Sequence, residues 1–460
     1  MDIHPIAILV IGVAIVLSMI LVLRINAFIA LITAAFSVSL MVEGDAASKI
    51  SRVGDAFGGV VGAIGIVIAL AAVIGRALMD SGAAERIVLS LMRLFGEKRA
   101  KFALMGSGFV LSVPVFFDTV FYLLVPLARS LFRKTQKNYI LYITAIVAGG
   151  AVTHTMVPPT PGPLFMANEL GVDLGTMIFV GGLVAIPMSI AGVYVCGFLN
   201  QHLDIPMRPV AGAPEPEAMD ESSLPPLWLS LLPVFLPVLL ITMRTTTSAL
   251  VAGGNQNGTI QSLNTVSAVL GNPSFALLIS AAISVFLVAK WKKRTLTELS
   301  SDAEQALMSG GLVILITAAG GAFGAMLREA GIQGAVEGMV GKDADTAGLI
   351  VLIIAAMVAS LIKFAQGSGT VAMITASTIF AGIGFTADGL GFNMVYLACA
   401  IGSGSLIGDW MNNSGFWIFA KMSGLTEQET LKTWTVLTAA MGLVGLIVTL
   451  VFATLLPMSS

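Results

Sequence analysis

The chain has 460 residues, of which 57% are hydrophobic and only 11% are charged, and its mean hydropathy is +0.94. Ordinary soluble domains carry roughly 25% charged residues, so this composition excludes a soluble protein and predicts an all-α, polytopic membrane protein with roughly 11–14 membrane segments. The net charge of −2, without a basic patch interleaved with aromatic residues, argues against a nucleic-acid partner. Cys196 and Cys399 lie in apolar runs, which is typical of packing residues rather than of a disulfide or a metal site.

The first half of the chain, residues 1–199, is predicted to form an N-terminal membrane repeat. Two apolar runs, 6–23 and 27–42, are joined so tightly that they must be antiparallel, and no basic segment precedes the first, as it would in a signal peptide. The next run, 59–78, is rich in Gly and Ala, and Arg76 and Asp80 near its end are predicted to mark the membrane boundary. The loop that follows has an excess of basic residues, which favours the cytoplasmic side. They are Arg86, Arg93, Lys98, Arg99 and Lys101.

Residues 102–128 are apolar, yet basic residues flank both ends. This pattern favours a hairpin that enters the membrane, bends near Pro114 and carries Asp118 at depth, with a single long tilted span as the alternative. The following run, 139–157, ends in 158–163, where four of six residues are proline. Such a segment cannot continue a helix and predicts a fixed, irregular turn.

A soluble linker is predicted between the halves. After a further span at 174–199, residues 200–226 are rich in Pro, Ala and acidic side chains, as in a flexible cytoplasmic hinge. A C-terminal membrane repeat, 227–460, follows. It starts with a span at 227–243, and its next span ends in the basic run 290–294, the clearest cytoplasmic anchor in the sequence.

An internal repeat relates the two halves. Residues 75–82 and 324–331 share the pattern Gly-x-x-Leu-x-acid-small-Gly at an offset of 249 positions. The same offset relates three further pairs: Asp118 and Gly367, Thr119 and Ser368, and His154 and Ser403. From the flanking charges, the two copies run in opposite directions across the membrane. Inverted halves that each contain a broken polar segment are typical of secondary transporters with a site near the midplane.

The polar break at 362–370 gathers most of the candidate substrate-binding residues. They are Lys363, Gln366, Gly367, Ser368, Gly369 and Thr370. Glycine lets the backbone leave helical geometry, and a polar break at membrane depth is tolerated only inside protein or beside a wet cavity. Free N–H groups at the start of a half-helix suit an organic carboxylate and hydroxyls. The alternatives are a short loop between spans and, for Lys363, a lysine that reaches out to the membrane interface.

Two acids are candidates for proton coupling. Asp118 lies in an apolar setting with no base nearby in sequence, so it could carry a proton; a structural ion pair or a helix cap is the alternative. Asp409 opens a cluster that could bind polyol hydroxyls or a cation, or could cap the next helix. The other members of this cluster are Asn412, Asn413 and Ser414.

His154, at a broken span end, could relay a proton or contact a carboxylate, and a hydrogen-bonded core histidine is the alternative. Thr119, beside Asp118, is included among the candidate substrate-binding residues because the repeat relates it to Ser368. The sequence has no Walker lysine and no zinc-ligand spacing, so neither a cofactor nor a metal is expected.

Six segments carry a resemblance that covers nearly the whole chain. They are 24–31, 81–87, 113–118, 158–163, Ala365-Gln366-Gly367-Ser368-Gly369-Thr370-Val371-Ala372 and Asn412-Asn413-Ser414-Gly415-Phe416-Trp417. In these segments the chain resembles the GntP-type gluconate permeases, proton-coupled organic-acid symporters of the ion-transporter superfamily. The resemblance implies a two-repeat fold with scaffold and transport parts, re-entrant hairpins, a homodimer and a bacterial cytoplasmic (inner) membrane location.

The chain departs from the pattern of that family at the site itself. The family usually has His where Thr160 stands, Asp where Asn413 stands, Ser-His where Asp409-Trp410 stands and Arg where Lys363 stands. An acid has thus moved four positions, from 413 to 409, which could preserve the charge in a reshaped pocket. The fold is unaffected by these changes, whereas the substrate is left open.

The predicted function is import of gluconate or a closely related sugar or hydroxy acid by proton symport, with D-serine and glycerate as alternative substrates. A sodium-coupled carboxylate carrier of the same fold is a second alternative, in which Asp118, Asp409 and Asn413 would bind the cation. An intramembrane enzyme is disfavoured because no nucleophile–base pair appears at helical spacing. A structural membrane subunit would not need polar breaks in both halves.

Overall fold

The computed structural model describes residues 4–209, 223–254, 257–331, 344–411 and 413–458, and within these residues the chain is all-α. Of the predicted linker, residues 210–222 lie outside the described residues. The helices, in chain order, are α1 (Pro5–Leu17), α2 (Ala27–Met41), α3 (Ala46–Val60), α4 (Ile66–Ser81), α5 (Ala83–Phe95), α6 (Ala100–Leu111), α7 (Phe117–Thr135), α8 (Tyr139–Met156), α9 (Pro161–Glu169), α10 (Leu174–His202), α11 (Leu227–Ala252), α12 (Gly258–Leu270), α13 (Pro273–Lys292), α14 (Leu296–Glu329), α15 (Ala344–Gln366), α16 (Gly369–Ile383), α17 (Ala387–Leu390), α18 (Val395–Gly404), α19 (Ser414–Ser423), α20 (Glu427–Thr430) and α21 (Val436–Leu455).

Eight helical runs are long and apolar enough to cross a membrane, and four shorter apolar helices accompany them among the described residues. The long runs are Ala46–Ser81, Tyr139–Glu169, Leu174–His202, Leu227–Ala252, Pro273–Lys292, Leu296–Glu329, Gly348–Gln366 and Glu427–Leu455. A π-helical turn at Val61–Gly65 joins α3 to α4, and another at Leu431–Thr435 joins α20 to α21. The predicted polytopic all-α membrane protein is confirmed.

The basic segments meet at one end of the helix bundle, which we call the basic end (residues 82–101, 129–139, 200–208 and 290–298). Lys134 pairs with Glu97, so the outer ends of α6 and α7 lie together. Arg86 donates to the carbonyl oxygen of Pro225 at 2.8 Å, and Arg208 pairs with Glu429 at 2.6 Å. These contacts place the start of α11 and the start of α20 at the same end.

Two helices that the sequence repeat relates, α3–α4 and α14, pack antiparallel. Gly310 lies against Ala72, Gly65 lies against Ile314, and Gly321 lies against Val60. Residue numbers therefore fall along one helix as they rise along the other. At the end opposite the basic end, Arg328 of α14 pairs with Glu169 of α9 at 2.7 Å.

Two helical hairpins enter the bundle from opposite ends. In the first, α6 and α7 are separated by residues 112–116, so the predicted bend near Pro114 is present and the single tilted span is wrong. In the second, α15 and α16 are separated by Gly367 and Ser368, and Gly382 near the end of α16 packs on Leu327 of α14. The two hairpin tips therefore face each other in the middle of the bundle.

From α3 in the first half and from α14 in the second, the larger helical elements of the described residues follow in the same order, apart from the short α17. Each half has a long helix (α3–α4 and α14), a hairpin (α6–α7 and α15–α16), a helix broken in the middle (α8–α9 and α18–α19) and a final long helix (α10 and α20–α21). The antiparallel packing of α3–α4 on α14 and the entry of the two hairpins from opposite ends are the directions expected of inverted repeats. The symmetry of the complete halves stays a prediction, because the counterpart of α5 falls largely at 332–343, outside the described residues.

Close packing of α6 on α8 depends on Gly149. A Cβ atom added there would lie 1.9 Å from the backbone oxygen of Met105, so any side chain must push the two helices apart. We expect Gly149→Ala to destabilise the protein by about 1–3 kcal/mol, the usual cost of overpacking a core. Thermal unfolding of the detergent-solubilised protein measures this loss. Gly182→Ala is the control, since nothing lies within 4 Å of that position, and equal melting temperatures of the two variants would contradict the prediction.

Candidate functional site

A cavity of about 430 Å³ lies between the two hairpin tips and the two broken helices. Its volume falls within the range of about 300–1,000 Å³ that is usual for small-molecule sites. Eleven of the thirteen candidate substrate-binding and coupling residues line it: Asp118, His154, Lys363, Gln366, Gly367, Ser368, Gly369, Thr370, Asp409, Asn413 and Ser414. We call this the central cavity.

Three helices begin at the central cavity, and each presents its N-terminus to it. They are α7, α16 and α19, whose N-caps are Phe116, Ser368 and Asn413. Since the first N–H groups of a helix have no intrahelical partner and carry the positive end of its dipole, three such termini favour an anion. Phe116 offers no side-chain cap to α7, so the first N–H groups of that helix are not capped by a side chain.

The break between α15 and α16 is built by local sequence. Gly367 has φ +90°, a left-handed conformation that glycine adopts without steric cost, and it ends α15. Ser368 then caps α16 by accepting a hydrogen bond from the N–H of Val371 at 3.3 Å, and the Gln366 amide donates to the carbonyl oxygen of Ser368 at 3.2 Å. The predicted polar break is present, and it lines a cavity rather than forming a loop at a span end.

Lys363 and Asp409 form a buried ion pair at the centre of the site. The ammonium of Lys363 lies 2.9 Å from Oδ2 of Asp409 and donates to the carbonyl oxygen of Gly367 at 2.6 Å. Only 2% of Lys363 and 3% of Asp409 are exposed. The alternative of a lysine that reaches the membrane interface is therefore wrong.

Asn413 completes this charged cluster. Its amide nitrogen lies 2.8 Å from both carboxylate oxygens of Asp409, and its oxygen accepts from the N–H of Gly415 at 3.1 Å. Positions 409 and 413, which the resemblance relates by a moved acid, are thus in direct contact, so an acid at either position would lie in the same pocket. Next to this pair in sequence, Trp410 stacks on Phe364 at 5.2 Å between ring centroids and donates to the carbonyl oxygen of Phe364 at 2.7 Å, which ties the break to α15.

Asp118 and His154 face the central cavity from the first half of the chain. Asp118 is partly buried in the first turn of α7, and neither a hydrogen bond nor an ion pair is found for its carboxylate among the described residues. The Nδ1 atom of His154 is buried and likewise has no partner within the described chain, while its ring lies 5.9 Å from that of Phe116. A structural ion pair is therefore not the role of Asp118, and His154 is not a hydrogen-bonded core histidine at Nδ1.

Two candidate residues are not placed in the central cavity. Thr119 points to a second cavity on the other side of the first hairpin tip. Asn412 lies outside the described residues. Thr160, where the family pattern has His, is buried and donates to the carbonyl oxygen of Val157 at 2.7 Å, away from the central cavity.

Sequence reasoning missed several residues that line the central cavity. They are Phe116, Phe117, Ala151, Thr155, Met373, Ser405, Leu406, Gly415 and Trp434. Most are apolar and carry no signal that separates them from packing residues. Trp434 comes from the last long helical run, and its long-range contacts bring it to the site: its ring lies 5.4 and 5.5 Å, between centroids, from those of Phe117 and Phe419.

Comparison with known proteins gives consistent results over the whole chain. The model of the GntP family permeases matches residues 4–455. An "uncharacterized permease" of Haemophilus influenzae is 34% identical over 97% of this chain and 92% of its own length, and a gluconate permease of Pseudomonas aeruginosa is 31% identical over 94% of both. Among solved structures, the Alcanivorax borkumensis YdaH transporter covers 94% of this chain and 98% of its own with a TM-score of 0.64 at 15% identity. That structural likeness concerns the fold alone.

Proposed function

This chain belongs to the GntP family of permeases, and we propose on that basis that it imports gluconate or a closely related sugar acid by proton symport. Membership makes it a multi-pass membrane transporter rather than an enzyme. The observation that carries the proposal is the central cavity, in which three helix N-termini and the Lys363 ammonium surround a space of about 430 Å³. This arrangement suits a carboxylate, because every one of these groups favours negative charge.

Hydroxyl and amide groups of the cavity can form hydrogen bonds with the hydroxyl groups of a sugar acid. Ser368, Thr370 and Gln366 line the cavity from the second hairpin, and Ser414 lines it from the start of α19. A polyol chain makes many hydrogen bonds in water, so a site that binds it must replace them, and buried polar groups left without partners would oppose binding. The polar residues of the site meet this requirement.

Charge balance explains why a proton would accompany the substrate. Asp118 and Asp409 bring two carboxylates to the cavity, whereas Lys363 brings one ammonium. A substrate carboxylate adds another negative charge inside the protein, which is costly unless it is compensated. In the proposed mechanism a proton on Asp118 offsets this charge. Asp409 is the second candidate for the proton, since protonation there would free the Lys363 ammonium to bind the substrate carboxylate.

The geometry at Asp409 argues against the sodium alternative at that residue. Both carboxylate oxygens lie 2.8 Å from the Asn413 amide nitrogen, and Oδ2 also faces the Lys363 ammonium. A sodium ion bound to Asp409 would sit beside a positive charge in a low-dielectric site and would be repelled. A proton avoids this repulsion because it neutralises the carboxylate without adding a separate cation.

The proposal includes a bacterial cytoplasmic membrane, with the basic end in the cytoplasm, and a homodimer. The orientation is supported by the basic residues collected at that end. The two halves, 1–199 and 227–460, would then be inverted repeats joined by a cytoplasmic linker at 200–226. Intermolecular cross-linking in native membranes tests the homodimer.

The proposal is tested by uptake of labelled gluconate into proteoliposomes under an inward proton gradient, with and without sodium. We expect accumulation that needs the proton gradient, does not need sodium and is lost when a protonophore collapses the gradient. Vesicles without protein set the background. Uptake that requires sodium and ignores the proton gradient would contradict the coupling. If gluconate is not taken up but glycerate or D-serine is, the substrate assignment is wrong and the fold and coupling stand.

A further inference from the structure

A second cavity, of about 340 Å³, lies next to the central cavity, between α4, the tip of the first hairpin and α14. It is lined by polar side chains from all three elements: Arg76, Asp80, Thr119, Gln305 and Ser309. Arg76 and Asp80, predicted from sequence only to mark the membrane boundary, therefore face an internal space. Since these two residues lie in the last turns of α4 and α14 begins at the basic end, the second cavity is on the basic-end side of the central one.

The hairpin tip forms the wall between the two cavities. Pro114, Val115 and Thr119 line the second cavity, whereas Phe117 and Asp118 line the central one. This segment packs closely against α4 at Gly75. A Cβ atom added to Gly75 would lie only 3.0 Å from the carbonyl oxygen of Pro114. Any molecule that passes between the cavities has to pass this segment.

Phe116 is the only residue that lines both cavities in the described part of the chain. Its ring contacts the ring of His154, with the centroids 5.9 Å apart. A side chain in this position separates two polar spaces with an apolar ring. Rotation of that one side chain would change the width of the passage without moving the helices.

The second cavity has the chemistry of an anion site. Nε of Arg76 donates to Oδ2 of Asp80 at 2.6 Å, and no hydrogen bond of its two terminal nitrogens is found among the described residues. The side chain is 44% exposed, so these donors are accessible for a carboxylate, which arginine binds through paired hydrogen bonds. Thr119, Gln305 and Ser309 add hydroxyl and amide groups suited to a polyol.

We propose that the second cavity is a transient binding site for the carboxylate substrate on its way to the cytoplasm. Arg76 is its anion-binding residue, and Phe116 is the barrier between it and the central cavity. The identity of the ligand rests on the proposed function, whereas the two cavities and their separation do not. The test therefore measures accessibility first and ligand binding second.

Accessibility is measured with a membrane-impermeant, anionic methanethiosulfonate reagent applied to the cytoplasmic face of inside-out vesicles. Cys196 and Cys399, both buried, are first replaced by alanine. We expect Ser309→Cys to react readily from this face and Thr370→Cys, in the central cavity, to react slowly. Adding Phe116→Ala should accelerate labelling of Thr370→Cys by about tenfold or more, which corresponds to a barrier lower by about 1.4 kcal/mol.

Phe109→Ala is the matched control, since it removes a phenylalanine of the same hairpin that lines neither cavity; it should leave labelling of Thr370→Cys unchanged. Phe116→Leu keeps an apolar side chain and should give an intermediate rate, which guards against a folding defect in Phe116→Ala. An inert Ser309→Cys, or a Thr370→Cys rate that is the same with and without Phe116, would overturn the proposal.

Ligand binding is measured as protection by gluconate in the same vesicles. Gluconate should slow labelling of Ser309→Cys severalfold, Arg76→Gln should remove this protection, and Arg99→Gln, at the basic end but outside both cavities, should retain it. Protection of Thr370→Cys in the Phe116→Ala background serves as the internal reference. Protection at Thr370 without protection at Ser309 would overturn this inference and leave the proposed function standing. Protection at neither position would overturn both.

Discussion

Lys363→Gln is expected to abolish carboxylate uptake and to destabilise the protein by about 3–5 kcal/mol, the usual cost of removing one partner of a buried ion pair. The loss of stability follows because Asp409, 3% exposed, would be left as a buried charge without its cation. The loss of uptake follows because the site would keep its helix N-termini but lose its only side-chain cation among the residues that line the central cavity. Uptake in proteoliposomes and thermal unfolding in detergent measure the two effects separately.

The double variant Lys363→Gln/Asp409→Asn separates folding from transport. Replacing both charges removes the uncompensated carboxylate, so most of the lost stability should return while uptake stays absent. Lys363→Arg, which introduces the residue that the resemblance gives for this position, should retain the ion pair and only part of the activity, since a guanidinium needs more space than an ammonium. Uptake by Lys363→Gln at more than a small fraction of the unchanged protein's rate would rule out the ammonium as the anion-binding group.

The polar break at 362–370 could be predicted from the sequence, because glycines and small hydroxyl residues interrupt an apolar run there, and membrane helices tolerate such a break only inside protein or beside a wet cavity. The partner of Lys363 could not be predicted. The two residues of the pair are 46 positions apart, Lys363 in α15 and Asp409 in the non-helical break between α18 and α19, and contact arises only when this break folds back on α15. A single sequence does not distinguish a lysine that reaches the membrane interface from a lysine in a buried ion pair.

For the first hairpin, too, the sequence predicted the local structure but not the long-range contacts. Basic residues on both flanks of 102–128 predicted that the chain returns to the side from which it entered, and Pro114 predicted the bend. Nothing in the local pattern placed Phe116 on a wall between two cavities. That role depends on how α4 and α14 pack around the tip, and long-range packing of apolar side chains has no signature in periodicity.

Asp118→Asn is expected to reduce proton-driven accumulation to the level of vesicles without protein, while exchange of labelled for unlabelled substrate continues. Asparagine is close in shape to a protonated aspartic acid and cannot release a proton. In the proposed mechanism the variant is therefore fixed in the state that binds substrate, so it can still carry substrate in both directions but cannot couple this movement to the gradient. Accumulation and counterflow, measured in the same proteoliposomes, distinguish a coupling residue from one needed for folding or binding, because loss of either of those would abolish both signals.

Asp388→Asn is the control for this experiment, since it removes an exposed carboxylate from the first turn of α17 and should change neither signal. The comparison with Asp409→Asn then decides which acid couples. Asp409→Asn leaves Lys363 buried without its counter-ion, so it should lower stability as Lys363→Gln does, whereas Asp118, for which no partner is found among the described residues, can be neutralised without that loss. Accumulation that survives in Asp118→Asn would place the coupling in the Lys363–Asp409 pair alone. Loss of accumulation with intact counterflow and unchanged melting temperature would identify Asp118 as the proton-carrying residue, because the described part of the chain shows no hydrogen bond or ion pair of its carboxylate that the substitution could break.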